Sequence, residues 1–461
     1  MHTGNKFLAA AVAVFTVSTL GAQVTTQQDY DSTAVTIFKT SLQAGRAYDA
    51  LAELTTKIGN RLSGSENAAK AVEWMKKKME EFGLENVHLE PCMVPHWVRG
   101  PVEEASIALP GGKRMPVAIT ALGGSIATPP GGITAEVVEV HSFEELHKLG
   151  DAAKGKIIFF NRPFDKTRFN TFEAYGGAVD QRWAGAMQAS ACGGVLALVR
   201  SVTSRLDDVP HTGVMGYADS IQKIPAVAIS TVGADHLSDL LKKNNNLRVY
   251  VKTSCKTLPD VESANVVGEI RGTEFPNEVI VVGGHLDSWD KGRGAHDDGA
   301  GVVQSIEALR LLKELGLRPK RTIRAVAFMN EENGGRGGQA YAAKDRPGET
   351  PLAAIESDMG GFMPRGFGVE TDSIRFQRIV RWAHLFSFIW ADRIVAGGGG
   401  SDISWLAPKG VPQISLLPET QRYFDYHHSD SDTIDKVNER ELELGGACLA
   451  ILTYVLAEEG V

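Results

Sequence analysis

From Asn265 to the C-terminus the chain alternates short apolar runs with stretches of helical periodicity. This alternation restricts the fold more than any other feature. Val279 to Gly283 is long enough for a buried strand and too short for a helix. Ala300 to Leu315 follows, with Val303, Ile306, Leu309 and Leu312 recurring on one helical face. Strand-like runs return at Thr322 to Met329, Ala353 to Glu356 and Val411 to Leu416, and helical ones at Gln377 to Phe388 and Glu439 to Ala457. Strands and helices in this order imply an α/β fold, a mixed sheet covered by helices on both faces.

Upstream, residues 35 to 83 read as helix, with Leu51, Leu54 and Ile58 at helical spacing. The segment Gly59-Asn-Arg-Leu-Ser-Gly-Ser65 interrupts it. Ser65 is placed to cap a second helix from Ala68 to Phe82, whose Val72, Met75 and Met79 share a side, and Gly83 ends it. Between residues 100 and 258 the texture changes. Short β-like runs at Thr134 to Val140, Lys156 to Phe160, Gly194 to Val199, Ala226 to Ser230 and Leu247 to Lys252 are separated by turns rich in Gly and Pro. Helical stretches lie between them at Asp180 to Ala191 and Ala234 to Lys243. This reads as an inserted α/β module, so the main domain is expected to comprise residues 35–99 and 259–461.

The chain has 461 residues and a formal net charge of -8, with no long basic run. That argues against a nucleic-acid or anionic-membrane surface. Lys6 followed by the mostly apolar Phe7 to Leu20 and small residues at Gly21 and Ala22 reads as a signal peptide, residues 1–22. At about 14 residues the run is short for a membrane span. A secreted or periplasmic protein without a stable membrane span is expected. Export permits disulfides. Cys92, Cys192, Cys255 and Cys448 form no close pair, and both disulfide pairing and four free thiols remain open.

The chemistry collects after the strands. Gly283-Gly-His-Leu-Asp-Ser288 follows one strand, and Ala295-His-Asp-Asp-Gly-Ala-Gly301 opens the next helix. Asn330-Glu-Glu-Asn-Gly-Gly335, Glu356-Ser-Asp358 and Tyr426-His-His-Ser-Asp-Ser-Asp-Thr433 follow three further strands. In open α/β sheets ligands bind beyond the carboxyl ends of the strands. A single His or acidic pair is ordinarily a core residue, a cap or a solvated face. Five such loops together instead suit a metal site of His and carboxylate ligands. Two divalent ions about 3.5 Å apart would need a carboxylate between them.

The order His-x-Asp, Asp-Asp-Gly-x-Gly, Glu-Glu, Ser-Asp and His-x-x-x-Asp-Thr resembles the di-zinc co-catalytic metallo-exopeptidase family. Gly284-His-Leu-Asp-Ser-Trp-Asp290, Tyr426-His-His428 and Gly59-Asn-Arg-Leu-Ser-Gly-Ser65 are similar to its plasma glutamate carboxypeptidase (carboxypeptidase Q) branch. Bacterial leucyl aminopeptidases are more distant relatives. The likeness runs from about residue 35 to 457, and the inserted module, residues 100–258, resembles a protease-associated domain.

That resemblance implies two Zn2+ per chain. It assigns His285 and Asp358 to one ion, Glu332 and His428 to the other, and Asp297 as the bridge, with a cis peptide bond between Asp297 and Asp298. It makes Glu331 the general base that takes a proton from water and returns it to the leaving amine. It also implies that Asp287 orients His285 by hydrogen bonding the far ring nitrogen. The family's spacing to Asp432-Thr433 selects His428 over its neighbour, leaving His427 to face substrate or to pack. Ser401 and Asp402, after Gly397 to Gly400, resemble a substrate loop, and Tyr423 and Tyr426 are candidate donors to an oxyanion.

The expected activity is hydrolysis of dipeptides or short peptides, with recognition of a free amino end preferred. Carboxypeptidase-type trimming, chemistry like that of glutaminyl cyclase on one zinc, and a non-catalytic binding protein on the same fold are the competing readings. Zinc content separates the last two from the first. The inserted module is expected either to roof the cleft or to mediate homodimer contacts.

Overall fold

The computed structural model describes residues 30–461. The expected signal peptide, residues 1–22, lies outside the described residues. Two eight-stranded sheets organise the chain. The strands in chain order are β1 (Glu85–Val98), β2 (Glu103–Ala108), β3 (Arg114–Pro116), β4 (Ile119–Ala121), β5 (Ile133–Val140), β6 (Ile157–Phe160), β7 (Leu196–Arg200) and β8 (Ala226–Ile229). They continue with β9 (Arg248–Thr253), β10 (Lys256–Ile270), β11 (Phe275–His285), β12 (Arg321–Phe328), β13 (Thr350–Glu356), β14 (Pro364–Glu370), β15 (Arg393–Ala396) and β16 (Gln413–Pro418).

The larger sheet has the order β1-β10-β12-β11-β13-β16-β14-β15. Its centre is parallel, β12 and β13 flanking β11, while β10 and β14 pair antiparallel with β12 and β16. Along β11, Ile280 and Val282 face the helices Ala300–Glu314 and Glu439–Glu459, while Val279 and Val281 face Tyr341, Ile403 and Leu406. The strand is therefore apolar on both faces, as its sequence requires. The second sheet, β3-β2-β9-β5-β6-β7-β8-β4, is built wholly from residues 103 to 253 and has its own apolar clusters.

Several elements differ from the sequence reading. β1 carries Pro91 and Pro95, which disfavour a central strand, but among the described residues it occupies the sheet edge and pairs with β10 alone. The helix expected at Gln377 to Phe388 is two pieces. Asp372 caps Ser373–Val380 by accepting from Ile374 N and Arg375 N, and a 3-10 turn, Ala383–Ile389, follows. Trp382 and Leu385 are both buried, an i,i+3 spacing that a 3-10 turn places on one side. Ser65 accepts from Ala68 N, as its expected cap role requires. All four cysteines are free. Among the described residues no helix is long and apolar enough to cross a membrane.

Glu90 on β1 ties the sheet edge to the segment after the helix Arg336–Ala343. It accepts from Arg346 at 2.6 Å and from Lys344 at 2.9 Å, and lies 3.4 Å from His88. Burial raises its pKa, but His88, Lys344 and Arg346 outweigh burial and hold it at about 2, below the ordinary 4.5. A depressed folded pKa contributes stability that is present above the unfolded value and lost as pH falls through the folded one. Glu90→Gln is expected to cost about 3 kcal/mol near neutrality. Its difference from the wild type should shrink as pH falls from 4.5 toward about 2 in denaturant titrations. A deficit independent of pH would refute the ion-pair account.

Candidate metal centre

The C-terminal ends of β11, β12, β13 and β16 converge on one cleft. β11 ends at His285. The chain then returns through the turn Ala295–Gly299, which contains Asp297 and Asp298 joined by a cis peptide bond, into the helix Ala300–Glu314. Glu331 and Glu332 follow β12, Asp358 follows β13, and His427 and His428 follow β16.

Asp297 stands between two pairs of side chains. Its Oδ1 lies 3.3 Å from His285 Nε2, which is also 3.3 Å from Asp358 Oδ1. Its Oδ2 lies 3.2 Å from His428 Nε2, which is 3.1 Å from Glu332 Oε2. Zinc–ligand distances of about 2.0–2.1 Å in a tetrahedral site put neighbouring ligand atoms about 3.3 Å apart. Asp297 Oδ2 and Asp358 Oδ1 are buried without a hydrogen-bond partner. Two oxygens of one carboxylate, each beside a His nitrogen and a second carboxylate, fit a pair of zinc ions.

The electrostatics agree with that fit. Burial, with the neighbouring charge of Asp297 added to it, raises Glu332 to about 8 and Asp358 to about 6. Burial opposes charge on His428, yet Glu332 and Asp297 bring it to about 10. Burial likewise works against His285, but Asp358 and Asp297 hold its pKa well above the ordinary value. Carboxylates crowded and buried in this way are offset by divalent cations. Glu331 and Asp358 are the open members, with 21% and 22% of their side chains exposed against 1% for His285 and 2% for Glu332. Glu331 Oε2 is 3.9 Å from His285 Nε2, near the centre yet outside both close pairs.

Asp287 acts differently from the expectation. The group beside His285 Nδ1 is the main-chain carbonyl of Asp287, at 3.1 Å, while the nearest carboxylate oxygen is 3.8 Å away. The carboxylate instead accepts from Asn330 N at 2.7 Å and Glu331 N at 3.1 Å, fixing the backbone that presents Glu331. Asn330 has φ 73° and its side chain donates to Ser63 Oγ.

The substrate-side residues separate. Tyr423 is buried with its ring centroid 5.1 Å from that of His427, and burial followed by Asp297 and Asp358 raises its phenol well above the ordinary value. Tyr426 stacks on His296, with ring centroids 5.5 Å apart. His427 stacks on His428 at 3.5 Å and its Nε2 is 3.7 Å from Asp297 Oδ2. Ser401 is exposed, and its carbonyl accepts from Ser404 Oγ. Asp402 is turned inward: it is 1% exposed, and its main-chain N–H donates to Glu356 Oε2. Gly400 lies so close to Glu356 that a Cβ would sit 2.1 Å from its carboxylate, which holds the loop down on the sheet.

Asp432, Asp298, Arg61, Thr212 and Arg182 support the site from around it. Asp432 accepts from His296 N at 2.7 Å and Asp297 N at 3.1 Å, clamping the bridging residue. Asp298 accepts from His285 N and Gly301 N. Gly284 and Gly301 leave room for it, since a Cβ at either would come within 2.5 Å of its carboxylate. Arg61, completely buried, donates to the carbonyls of Leu286, Arg293 and Gly294. From the second sheet's side, Thr212 N donates to His428 O at 2.9 Å, and Arg182 lies 3.4 Å from His428 Nδ1. The motif Gly59 to Ser65, the Asp297-Asp298-Gly299 run and the pair Asp432-Thr433 were local signals of this shell.

Residues 265–452 match the family described as Peptidase family M28. The chain is 40% identical to carboxypeptidase Q of Bos taurus over 418 residues, covering 90% of this chain and 85% of that protein. Its fold superposes on a peptidase M28 precursor from Shewanella amazonensis with a TM-score of 0.89 at 33% identity, covering 94% and 97% of the two chains. A zinc aminopeptidase from Bacillus subtilis shares the fold, with a TM-score of 0.66 at 21% identity over 90% of this chain and 96% of that one. Strand-end His and carboxylate residues meeting around Asp297, on a fold and sequence shared along nearly the whole described length, place the chain in peptidase family M28, the metallopeptidase family that its motifs resemble.

Proposed function

We propose that the chain is an exported exopeptidase that holds two zinc ions and cleaves dipeptides or short peptides from the free amino end. The observation that carries this reading is the position of Asp297, one oxygen 3.3 Å from His285, itself 3.3 Å from Asp358, and the other 3.2 Å from His428, itself 3.1 Å from Glu332. Zinc bound there supplies Lewis acidity toward the scissile carbonyl and toward water. Glu331, partly exposed and held by the Asp287 clamp on its backbone, takes a proton from water as the peptide carbonyl is attacked and delivers it to the departing amine. Tyr423, buried beside the carboxylates, is placed to donate to the developing oxyanion. Thr212 and Arg182 make the second sheet a wall of the cleft, which favours short substrates.

The test combines metal analysis with amino-acid release from free, amino-blocked and carboxyl-amidated dipeptides. About two zinc ions per chain are expected, with activity lost on chelation and restored by zinc. Cleavage should fail on amino-blocked peptides. Cleavage that survives amino-blocking and fails on amides would replace amino-end trimming by carboxypeptidase action. One zinc or none would overturn the two-ion centre.

A further inference from the structure

The two histidines beside Asp297 have opposite surroundings at their far ring nitrogens. His285 Nδ1 lies 3.1 Å from the carbonyl of Asp287, with the carboxylate of the same residue 3.8 Å away. His428 Nδ1 instead lies 3.4 Å from Arg182 Nη1. A histidine that offers Nε2 to a metal carries its ring proton on Nδ1, and that N–H ordinarily finds a carboxylate, a carbonyl or water, which strengthens the ligand. The Asp287 carbonyl meets this need for His285. A guanidinium has no acceptor atom, so Arg182 sets a donor and a positive charge against His428.

Arg182 is built into this position. It belongs to the helix Asp180–Ala191 of the inserted module and is buried, at 7% exposed. Its Nη2 donates to Tyr175 Oη at 2.6 Å and its Nη1 to the carbonyl of Thr212 at 3.4 Å. Gly213, with φ 138°, makes room for it, since a Cβ there would come 2.4 Å from the guanidinium carbon. Among the described residues Arg182 has no carboxylate partner, and its Nε is buried without a hydrogen bond. Arg99, buried to the same 7%, is by contrast paired with Asp290 at 2.6 Å and Glu103 at 3.0 Å. The module also fixes the backbone of the histidine pair. Thr212 N donates to His428 O at 2.9 Å, and His211 Nδ1 donates to His427 O at 2.7 Å. His428 has φ 59°, a left-handed conformation that a residue with a side chain adopts only where its surroundings impose it. With His427 stacked on its ring at 3.5 Å, His428 is held facing Arg182.

We infer that Arg182 is a positioning residue that makes the two zinc positions unequal: it holds the His428 ring and weakens its grip on zinc, so the ion between His428 and Glu332 is released first. This rests on the two-ion reading above and assigns the looser position and its cause. The charge of Arg182 repels a cation bound on the other side of the imidazole. The Asp287 carbonyl does the reverse at His285, drawing on the ring proton and strengthening the bond to the metal. The inserted module thereby sets a property of the centre without supplying a ligand to it.

The test withdraws zinc from the purified full chain with a chromophoric chelator and reads the dissociation constants of the wild type, Arg182→Met, Arg182→Lys and Tyr175→Phe. Arg182→Met removes the charge and keeps an unbranched side chain. It should tighten the weaker constant by about tenfold and leave the stronger one within about twofold. Arg182→Lys keeps the charge and should stay near the wild type. Tyr175→Phe keeps the ring and removes only the hydroxyl that holds the guanidinium, so it should shift the weaker constant the same way by less. A purely structural Arg182 would give the opposite sign, because a loosened wall behind His428 weakens zinc binding. Weaker or unchanged binding by Arg182→Met, or a shift confined to the stronger constant, would overturn the inference. Thermal melting of the zinc-free proteins shows whether Arg182→Met folds. If it does not, Tyr175→Phe decides, and an unchanged weaker constant there would overturn the inference. A wild type that binds a single zinc would refute the two-ion reading. The effect of Arg182 would then stand if Arg182→Met tightened that ion and fall if it did not, while a protein that binds no zinc refutes both.

Discussion

Glu331→Gln is expected to lower kcat by about 10³-fold while leaving zinc content and melting temperature close to those of the wild type. Glu331 Oε2 approaches the centre only at 3.9 Å from His285 Nε2, whereas the paired atoms around Asp297 lie at 3.1–3.3 Å. Among the described residues it makes no ion pair with a Lys or Arg, and its main-chain N–H, which the substitution keeps, donates to Asp287. The variant therefore retains the shape of the site and loses only the capacity to carry a proton. Glu332→Gln should behave differently, since Glu332 Oε2 sits 3.1 Å from His428 Nε2, and it should lower zinc content as well as rate. Steady-state kinetics with metal analysis on the same samples separates the two. Substantial turnover by a fully zinc-loaded Glu331→Gln would remove Glu331 from the role of base.

The other large effect is expected at a residue that reaches no ligand atom. Arg61 donates to the carbonyls of Leu286 at 2.5 Å, Arg293 at 2.8 Å and Gly294 at 2.9 Å, fastening both ends of the loop that runs from His285 to the turn of Asp297. Its charge also lies within the field of Asp432, Asp287, Asp298 and Glu332. Arg61→Met would leave three carbonyls without their donor and the carboxylates without their buried cation. The expected cost is about 3 kcal/mol or more of stability, together with weakened zinc binding. Arg61→Lys keeps the charge but cannot reach three carbonyls at once, so it should fall between the two. Thermal unfolding of zinc-free and zinc-loaded protein checks this: both deficits should appear, and the zinc-induced rise in melting temperature should shrink. A variant as stable and as zinc-avid as the wild type would show that the loop holds itself.

The strands and helices that are strongly patterned were legible because their signals are local. β11, β12 and β13 are uninterrupted apolar runs, and Ala300–Glu314 repeats its apolar residues at helical spacing. β1, β14 and β15 were not legible. Their prolines, glycines and charges are compatible with strand only because each lies at or near a sheet edge, and the edge is defined by the other strands. The same divide runs through the site. His285, Asp297, Glu331, Glu332, Asp358 and His428 stand out because each lies in a loop between an apolar run and the next helix or strand, and polar residues in such loops gather beyond the strand ends.

The sequence by itself determined the fold class, the identity of the residues that gather around Asp297 and the chemistry such residues suit. These depend on periodicity and on residue types at strand ends, which neighbouring positions encode. Only the tertiary structure decided which groups hold those residues in place. Arg61 meets Leu286 and Gly294 across more than two hundred residues of chain, and Asp432 meets Asp297 across 135 residues. It also turned Asp402 inward onto Glu356, moved Asp287 from His285 to the backbone of Glu331, and set Thr212 against His428. Such contacts arise from packing between distant segments, and burial decides which polar partner each group must find.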